Sequence, residues 1–240
     1  MLFAAGLGTR LRPLTDHTPK ALVKVAGQPL FDIVVNRLRS HGCSHIVANV
    51  HHFAQQIIDH VAQKDWGIRI DISDESDRLL DTGGGLKKAL PLFNPAMPVL
   101  IHNVDIMSNA NLRQFYAEHS DNAATLLVSE RPTQRYLLFD ADMRLVGWTN
   151  ISTGEVRTPY ADLDVAKCRK LAFSGIHIIR PDIVAPLLKD YPEAFPIMDL
   201  YLRNCHKIHI KGVVMDNLKL LDVGKQQTLD AAEKFVKELS

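Results

Sequence analysis

Cysteine is scarce in this 240-residue chain. Cys43, Cys168 and Cys205 stand apart and in odd number, which spells out neither a disulfide framework nor a zinc site. They are expected to be reduced, mostly buried thiols with no chemical role. No apolar run approaches the length of a membrane span, and no succession of charged, apolar and small residues marks a signal peptide. An excess of one charge is missing too: 28 basic residues face 27 acidic ones, so no global basic field invites nucleic acid. Repeats, linkers and low-complexity runs do not occur. These absences predict a soluble, cytoplasmic, single-domain chain over 1–240 with neither a membrane nor a nucleic-acid partner. They carry no mark of oligomeric state.

Hydrophobic residues make up 46% of the chain and are spread along it, enough for a sizeable core. Leu2-Phe3-Ala4 reads as a strand, short enough that further residues ahead of Met1 are expected. Leu30, Ile33, Val34 and Leu38 recur at helical spacing and predict a helix over 30–39, ended by Gly42. A strand over 46–50 and a helix over 53–62 follow. Ile68, Ile70 and Ile72 then alternate with polar residues as in a half-buried strand. Thr82-Gly83-Gly84-Gly85 opens another helix, and Val99-Leu100-Ile101 is a short strand leading to Asn103-Val104-Asp105. Strands alternating with helices predict an α/β fold with a mainly parallel sheet covered on both faces. Ligands then gather at the carboxyl ends of the strands. Further on, a strand over 124–128, a hairpin across 136–148 turning at Asp140-Ala141-Asp142, strands over 171–180, 207–215 and 219–223, and a closing amphipathic helix over 226–239 are expected. A β-rich lid is placed at roughly 131–172.

Immediately after the first strand come Ala5-Gly6-Leu7-Gly8-Thr9-Arg10 and, a few residues later, Pro19-Lys20. Gly6 and Gly8 let consecutive amides face an anion without an intervening side chain. Arg10 adds a planar fork of donors and Lys20 a compact charge, the two ways proteins neutralise phosphate oxygens. A plain strand-to-helix connection is the alternative for the glycines alone. Phosphoryl chemistry on such a cradle calls for a divalent metal. Asp105 and Asp222, each an acid at the end of an apolar strand, suit magnesium, which takes one or two carboxylates; a lone strand-end aspartate serves equally as a turn cap. His51-His52, His102 and the His206, His209 pair have no recognised metal spacing, Lys87-Lys88 reads as a solvated helix face, and Trp66 and Trp148 as core.

Gly6-Leu7-Gly8-Thr9-Arg10-Leu11-Arg12-Pro13-Leu14-Thr15, followed by Pro19-Lys20-Ala21-Leu22-Val23, resembles the signature of sugar-1-phosphate nucleotidyltransferases. The resemblance continues through Ala26-Gly27-Gln28-Pro29-Leu30, Asp81-Thr82-Gly83-Gly84-Gly85, Phe173-Ser174-Gly175-Ile176 and Leu221-Asp222-Val223-Gly224, and so spans nearly the whole chain. The short length and the Thr-Gly-Gly-Gly segment are most similar to N-acetylmuramate-1-phosphate uridylyltransferases and the smaller mannose-1-phosphate guanylyltransferases. The resemblance implies a three-layer, Rossmann-like α/β/α nucleotidyltransferase fold with a mainly parallel mixed sheet and a small lid. It implies transfer of a nucleoside monophosphate from a nucleoside triphosphate to a sugar-1-phosphate, with Mg²⁺ and release of pyrophosphate, toward nucleotide sugars for the cell wall. Arg10 and Lys20 would then be catalytic. Ala5, Gly6, Gly8, Thr9 and Arg10 would hold the triphosphate, and Thr82, Gly83 and Gly84 the nucleoside. Asp105 and Asp222 would hold the metal, and Asn150, Ser174 and Gly175 would line the sugar side.

Two departures from the family pattern stand out. Val104 replaces a glycine and is expected to narrow the approach to sugar or nucleotide, and the Glu-Lys-Pro element of longer relatives is missing, with Gly147-Trp148-Thr149-Asn150 in that region. A dinucleotide-binding oxidoreductase fits less well because Leu11 stands where its third glycine belongs. A choline-phosphate cytidylyltransferase and a non-catalytic nucleotide-sugar-binding module on the same fold remain as alternatives.

Overall fold

The computed structural model describes residues 1–239. Its first strand, β1 (Leu2–Phe3), is fully buried because parallel neighbours flank both of its edges. The chain passes through the glycine turn, two single 3-10 turns (Thr9–Leu11 and Lys20–Leu22) and a small hairpin, β2 (Lys24–Val25) and β3 (Gln28–Pro29). Helix α1 (Leu30–Ser40) buries Leu30, Phe31, Val34, Val35 and Leu38 on one face, and Gly42 turns the chain at a φ of +93° just beyond it. Then come β4 (His45–Val50), α2 (Ala54–Ala62), β5 (Arg69–Asp74), α3 (Asp81–Ala89) and β6 (Val99–Asn103). These strands run parallel in the order β6-β1-β4-β5, with Leu2 opposite both Ala48 and His102.

The second half adds β7 (Ile106–Ser108), α4 (Leu112–His119), β8 (Ala124–Ser129), β9 (Arg135–Phe139), β10 (Leu145–Asn150) and β11 (Glu155–Arg157). It continues with β12 (Arg169–Ile179), α5 (Pro181–Leu187), α6 (Ile197–Asn204), β13 (Ile210–Val214), β14 (Leu220–Asp222) and α7 (Leu229–Leu239). The long β12 joins two regions. Its later residues lie antiparallel to β6, with Ile176 opposite His102, and its first residues pair with β9, extending the sheet through β10 to β11. The sheet is therefore mixed: parallel around β1, antiparallel where β12 enters. The hairpin forms as its pattern predicts, with Asp140 Oδ1 accepting the amides of Asp142 and Arg144 at 3.0 and 2.8 Å.

Alternation along the strands decides the layers. Ile46, Ala48 and Val50 face one core with α1, α2, α4 and α7, whereas Val47 and Ile101 face another with α3, α5 and α6. Phe31, Phe115 and Tyr201 anchor these two cores with side chains wholly out of water, each removing apolar surface worth about 2 kcal/mol. Trp66 is core, as expected, with its Nε1 donating to Val61 O. Lys87 is not simply solvated, since its Nζ donates to Tyr191 O at 2.7 Å. Among the described residues no helix is long and apolar enough to cross a membrane.

Candidate active site

Beyond the carboxyl ends of β1, β4 and β6 lies a cleft of about 700 Å³. The glycine turn and Lys20 bound it on one side, Asn49 and the Asp81-Thr82 start of α3 on another. Asn103 to Asp105, the Ala194 to Pro196 segment and Gly224 complete it.

The glycines of the turn have different reasons for being glycine. Gly8 sits at a φ of +65°, and a Cβ there would meet Thr15 Cγ2 at 2.9 Å and Lys20 Cβ at 3.0 Å. Thr15 Oγ1 donates to Gly8 O at 2.8 Å and pins that conformation. A Cβ on Gly6 would meet nothing within 4 Å, so any side chain there would project into open space. Among the described residues no protein group accepts from the amides of Gly6, Leu7 and Gly8. They are free to bind an anion. Ala5 is buried beneath them, Thr9 opens the 3-10 turn, and Arg10 is exposed.

Lys20 Nζ donates to Asp105 Oδ2, with the two side chains only 11% and 16% exposed. Asp105 occupies the turn between β6 and β7. The pairing of β7 with β14 places Asp222 opposite Ile106, and Val223 N donates to Asp105 O at 2.8 Å. A Cβ on the buried Gly224 would lie 2.5 Å from Asp222 Oδ1 and 2.7 Å from Arg10 Nη2. Arg10 and Asp222 thus reach the same point from two sides, and only a glycine leaves them room. The expected metal can be tested against this donor set. Among the described residues no group of three or more His, Cys, Asp or Glu side chains could hold an ion by itself. Two carboxylates on adjacent backbone segments suit a hard cation that takes its remaining ligands from phosphate and water, as Mg²⁺ does, and do not suit a tetrahedral nitrogen-sulfur site.

Thr82, Gly83 and Gly84 are placed differently from the expectation that their backbone faces a ligand. The amides of Gly83 and Gly84 both donate to Phe195 O, at 2.8 and 3.2 Å. A Cβ on Gly83 would meet the Phe195 ring at 2.3 Å, and one on Gly84 the Glu193 carbonyl at 2.0 Å. These glycines let α3 lie directly on the 193–195 segment. Thr82 Oγ1 accepts from Ile197 N at 2.9 Å, so it too ties α3 to this segment while remaining on the cleft wall.

On the expected sugar side, Gly175 has a φ of +79° in a β-bulge of β12, and a Cβ there would press on Asn103 Nδ2 at 2.7 Å. Asn103 lines the cleft. Ser174 is buried, its hydroxyl accepting from Ile176 N at 3.1 Å. Asn150 Oδ1 caps the turn after β10 by accepting from the amide and hydroxyl of Ser152. Val104 is among the residues that line the cleft, with a side chain 3% exposed that packs against the core and an amide that donates to Phe3 O.

Two residues next to the cleft escaped the sequence reading. Asn49, one residue before the end of β4, lines the cleft, and Glu75, bonded to Asn49 Nδ2, follows β5, 1% exposed and with its carboxyl pushed up by burial. Both sit at the carboxyl end of a parallel strand, the same signal that had singled out Asp105.

Residues 1–144 match the family model described as nucleotidyl transferase. The chain is 34% identical, over 99% of its length and 96% of the other's, to the N-acetylmuramate alpha-1-phosphate uridylyltransferase of Caulobacter vibrioides. It is 32% identical to the enzyme of the same name from Neisseria meningitidis serogroup B, over 76% of this chain and 75% of that one. In three dimensions it is similar to the crystal structure of HddC from Yersinia pseudotuberculosis complexed with GMP-PN. The TM-score is 0.76 at 21% identity, over 97% of this chain and 96% of that one, a likeness of fold.

Proposed function

The chain belongs to the nucleotidyl transferase family, and on that premise we propose that it transfers uridine monophosphate from UTP to N-acetylmuramate 1-phosphate, releasing pyrophosphate. The observation that carries the chemistry is the convergence, in one cleft, of unpaired glycine-turn amides, the Lys20–Asp105 pair, and Arg10 with Asp222 about Gly224. The choice of base and sugar is supported by the two uridylyltransferase relatives, both of which cover well over half of the chain.

In this mechanism the amides of Gly6, Leu7 and Gly8, with Thr9 and Arg10, bind the triphosphate, whose charge would otherwise repel a second phosphate. Asp105 and Asp222 would hold Mg²⁺, which when bound supplies further neutralisation of the phosphates. An oxygen of the sugar phosphate attacks the α-phosphorus in line, and the pyrophosphate leaves. The attacking oxygen is already anionic near neutral pH, so the protein needs no general base. Its work is positioning and charge stabilisation, with Lys20 offsetting the charge that grows on the reacting phosphates. The sugar is proposed to lie toward Gly175 and Asn150, with the buried Ser174 supporting the β12 bulge from within and the β9–β11 layer, within roughly 131–172, acting as a lid that excludes water. UTP and sugar phosphates being cytoplasmic metabolites, we assign the activity to that compartment.

Pyrophosphate release from a panel of nucleoside triphosphates with sugar 1-phosphates and phosphocholine, in Mg²⁺, tests the proposal. UTP with N-acetylmuramate 1-phosphate is expected to give the highest kcat/KM. GTP with mannose 1-phosphate, or CTP with phosphocholine, outrunning it would overturn the substrate choice.

A further inference from the structure

The glycine turn and the start of α3 are far apart in sequence and belong to different strand-helix units, yet one pair of buried side chains spans them. Asn49 Oδ1 accepts from Ala4 N at 2.9 Å, immediately ahead of the glycine turn. Its Nδ2 donates to Glu75 Oε1 at 2.8 Å. Glu75 Oε2 in turn accepts from Leu80 N at 3.2 Å, the residue that leads into α3. Both side chains are nearly inaccessible, at 3% and 1% exposed, and among the described residues no cation pairs with the Glu75 carboxylate. Such a charge is costly to bury and is favoured by its hydrogen bonds first, then by the charges of Lys88 and His51. The structure also makes space for it: a Cβ on Gly85 would lie 2.7 Å from Glu75 Oε1 and 2.8 Å from Asn49 Nδ2.

We propose that Glu75 and Asn49 are positioning residues for nucleotide binding. Together they hold the glycine turn and the first turn of α3 at a set separation, and so fix the width of the cleft between them. The role rests on the nucleotide-binding function proposed above for those two walls. It assigns a task to a buried carboxylate that touches no substrate. The bridge acts on the ground-state fit of the nucleotide, and neither of its members bonds to Lys20 or Asp105, to which the charge of the reacting phosphates is assigned above. Its loss therefore weakens nucleotide binding and spares the chemical step.

The test is Glu75→Gln, which keeps the shape but puts an NH2 group opposite a donor, either Asn49 Nδ2 or Leu80 N. Flipping Asn49 would repair the first clash only by breaking the bond to Ala4 N. Amide exchange of the ligand-free protein is expected to quicken jointly in segments 4–8 and 79–84, with β8 and β12 unchanged. Calorimetry with UTP and Mg²⁺ is expected to show affinity weakened about 10-fold, with kcat at saturating UTP within about 2-fold and the acceptor KM unmoved. Gly85→Ala, which pushes on the pair without deleting either member, should reproduce the pattern and serves if Glu75→Gln does not fold. Faster exchange in only one of the two segments, a uniform loss of protection across the sheet, or unaltered UTP affinity would overturn the proposal. Joint loosening in a protein whose wild type binds no nucleoside triphosphate would overturn it through the function it rests on, and is distinguishable because the exchange readout needs no ligand.

Discussion

Lys20 and Asp105, 85 residues apart in sequence, are bonded side chain to side chain at the floor of the cleft. A cation proposed to meet phosphate and a carboxylate proposed to hold metal are thus each other's partner. Pairing lets both stay charged while largely out of water, where an unpaired charge would be costly. On the proposed function, nucleotide and metal would exchange this one contact for two, one at each member.

Removing one member should separate stability from chemistry. Lys20→Ala is expected to lower kcat about 100- to 1000-fold, as the loss of a transition-state charge partner does, with UTP affinity changed far less. It also strands Asp105, so urea unfolding should show a loss of up to about 3 kcal/mol. In the double variant Lys20→Ala, Asp105→Asn, stability should recover while activity stays lost. An unchanged kcat with weakened UTP binding would refute the role given to Lys20.

Asp222 gives the cleaner probe of metal, because it is exposed and nothing folds on its charge. Asp222→Asn should leave the unfolding free energy within about 0.5 kcal/mol of wild type while reducing Mg²⁺-dependent turnover at least about 100-fold. Full turnover in excess chelator would sink the assignment of Asp105 and Asp222 to a metal.

The glycines divide into two classes that alanine can tell apart. Gly6→Ala has open space for its methyl group, so its melting temperature should match wild type and the deficit should appear in nucleotide affinity. Gly84→Ala would drive a methyl group to 2.0 Å from the Glu193 carbonyl. We expect it to lose about 1–3 kcal/mol of stability without any ligand present. Equal melting temperatures for the two variants would refute the packing role of Gly84.

Acid should destabilise the protein through two buried histidines. Burial pushes His177 down to about 3 and His102 down to about 4, from an ordinary 6.5. Below pH 6.5 the unfolded chain takes up protons that the folded one refuses. Stability is therefore full above that pH and falls as pH drops toward 4, by up to about 1.4 kcal/mol per pH unit for each histidine. Both ring nitrogens of His177 lack partners among the described residues, and the ring packs against Phe173 and Tyr201. His177→Phe should accordingly flatten the pH dependence of urea unfolding between pH 4 and 6. An unchanged slope would mean that His177 titrates normally in the folded state.

The parallel half of the fold was legible because its signals are local. The spacing of Leu30, Ile33, Val34 and Leu38, and the alternation of Ile68, Ile70 and Ile72, each lie within one element. Helices α4, α5 and α6 were not anticipated, and the joining role of β12 could not be, since an eleven-residue strand that pairs with β6, β8 and β9 differs from a shorter one only in what lies beside it. The same limit explains Val104 and Ser174, whose side chains turn inward for reasons set by neighbouring strands.

The sequence by itself determined which chemistry is at hand: a glycine turn with its cations directly after a strand, and acids at strand ends. Each follows from residue type and order, because backbone freedom and charge are properties of the residue. Tertiary structure alone decided which of these groups meet. It set Lys20 on Asp105, gave the Thr82 to Gly85 segment to the packing of α3, and joined Asn49 to Glu75. Contacts between distant segments depend on sheet register and on how closely two backbones approach, and neither is written in the spacing of any one segment.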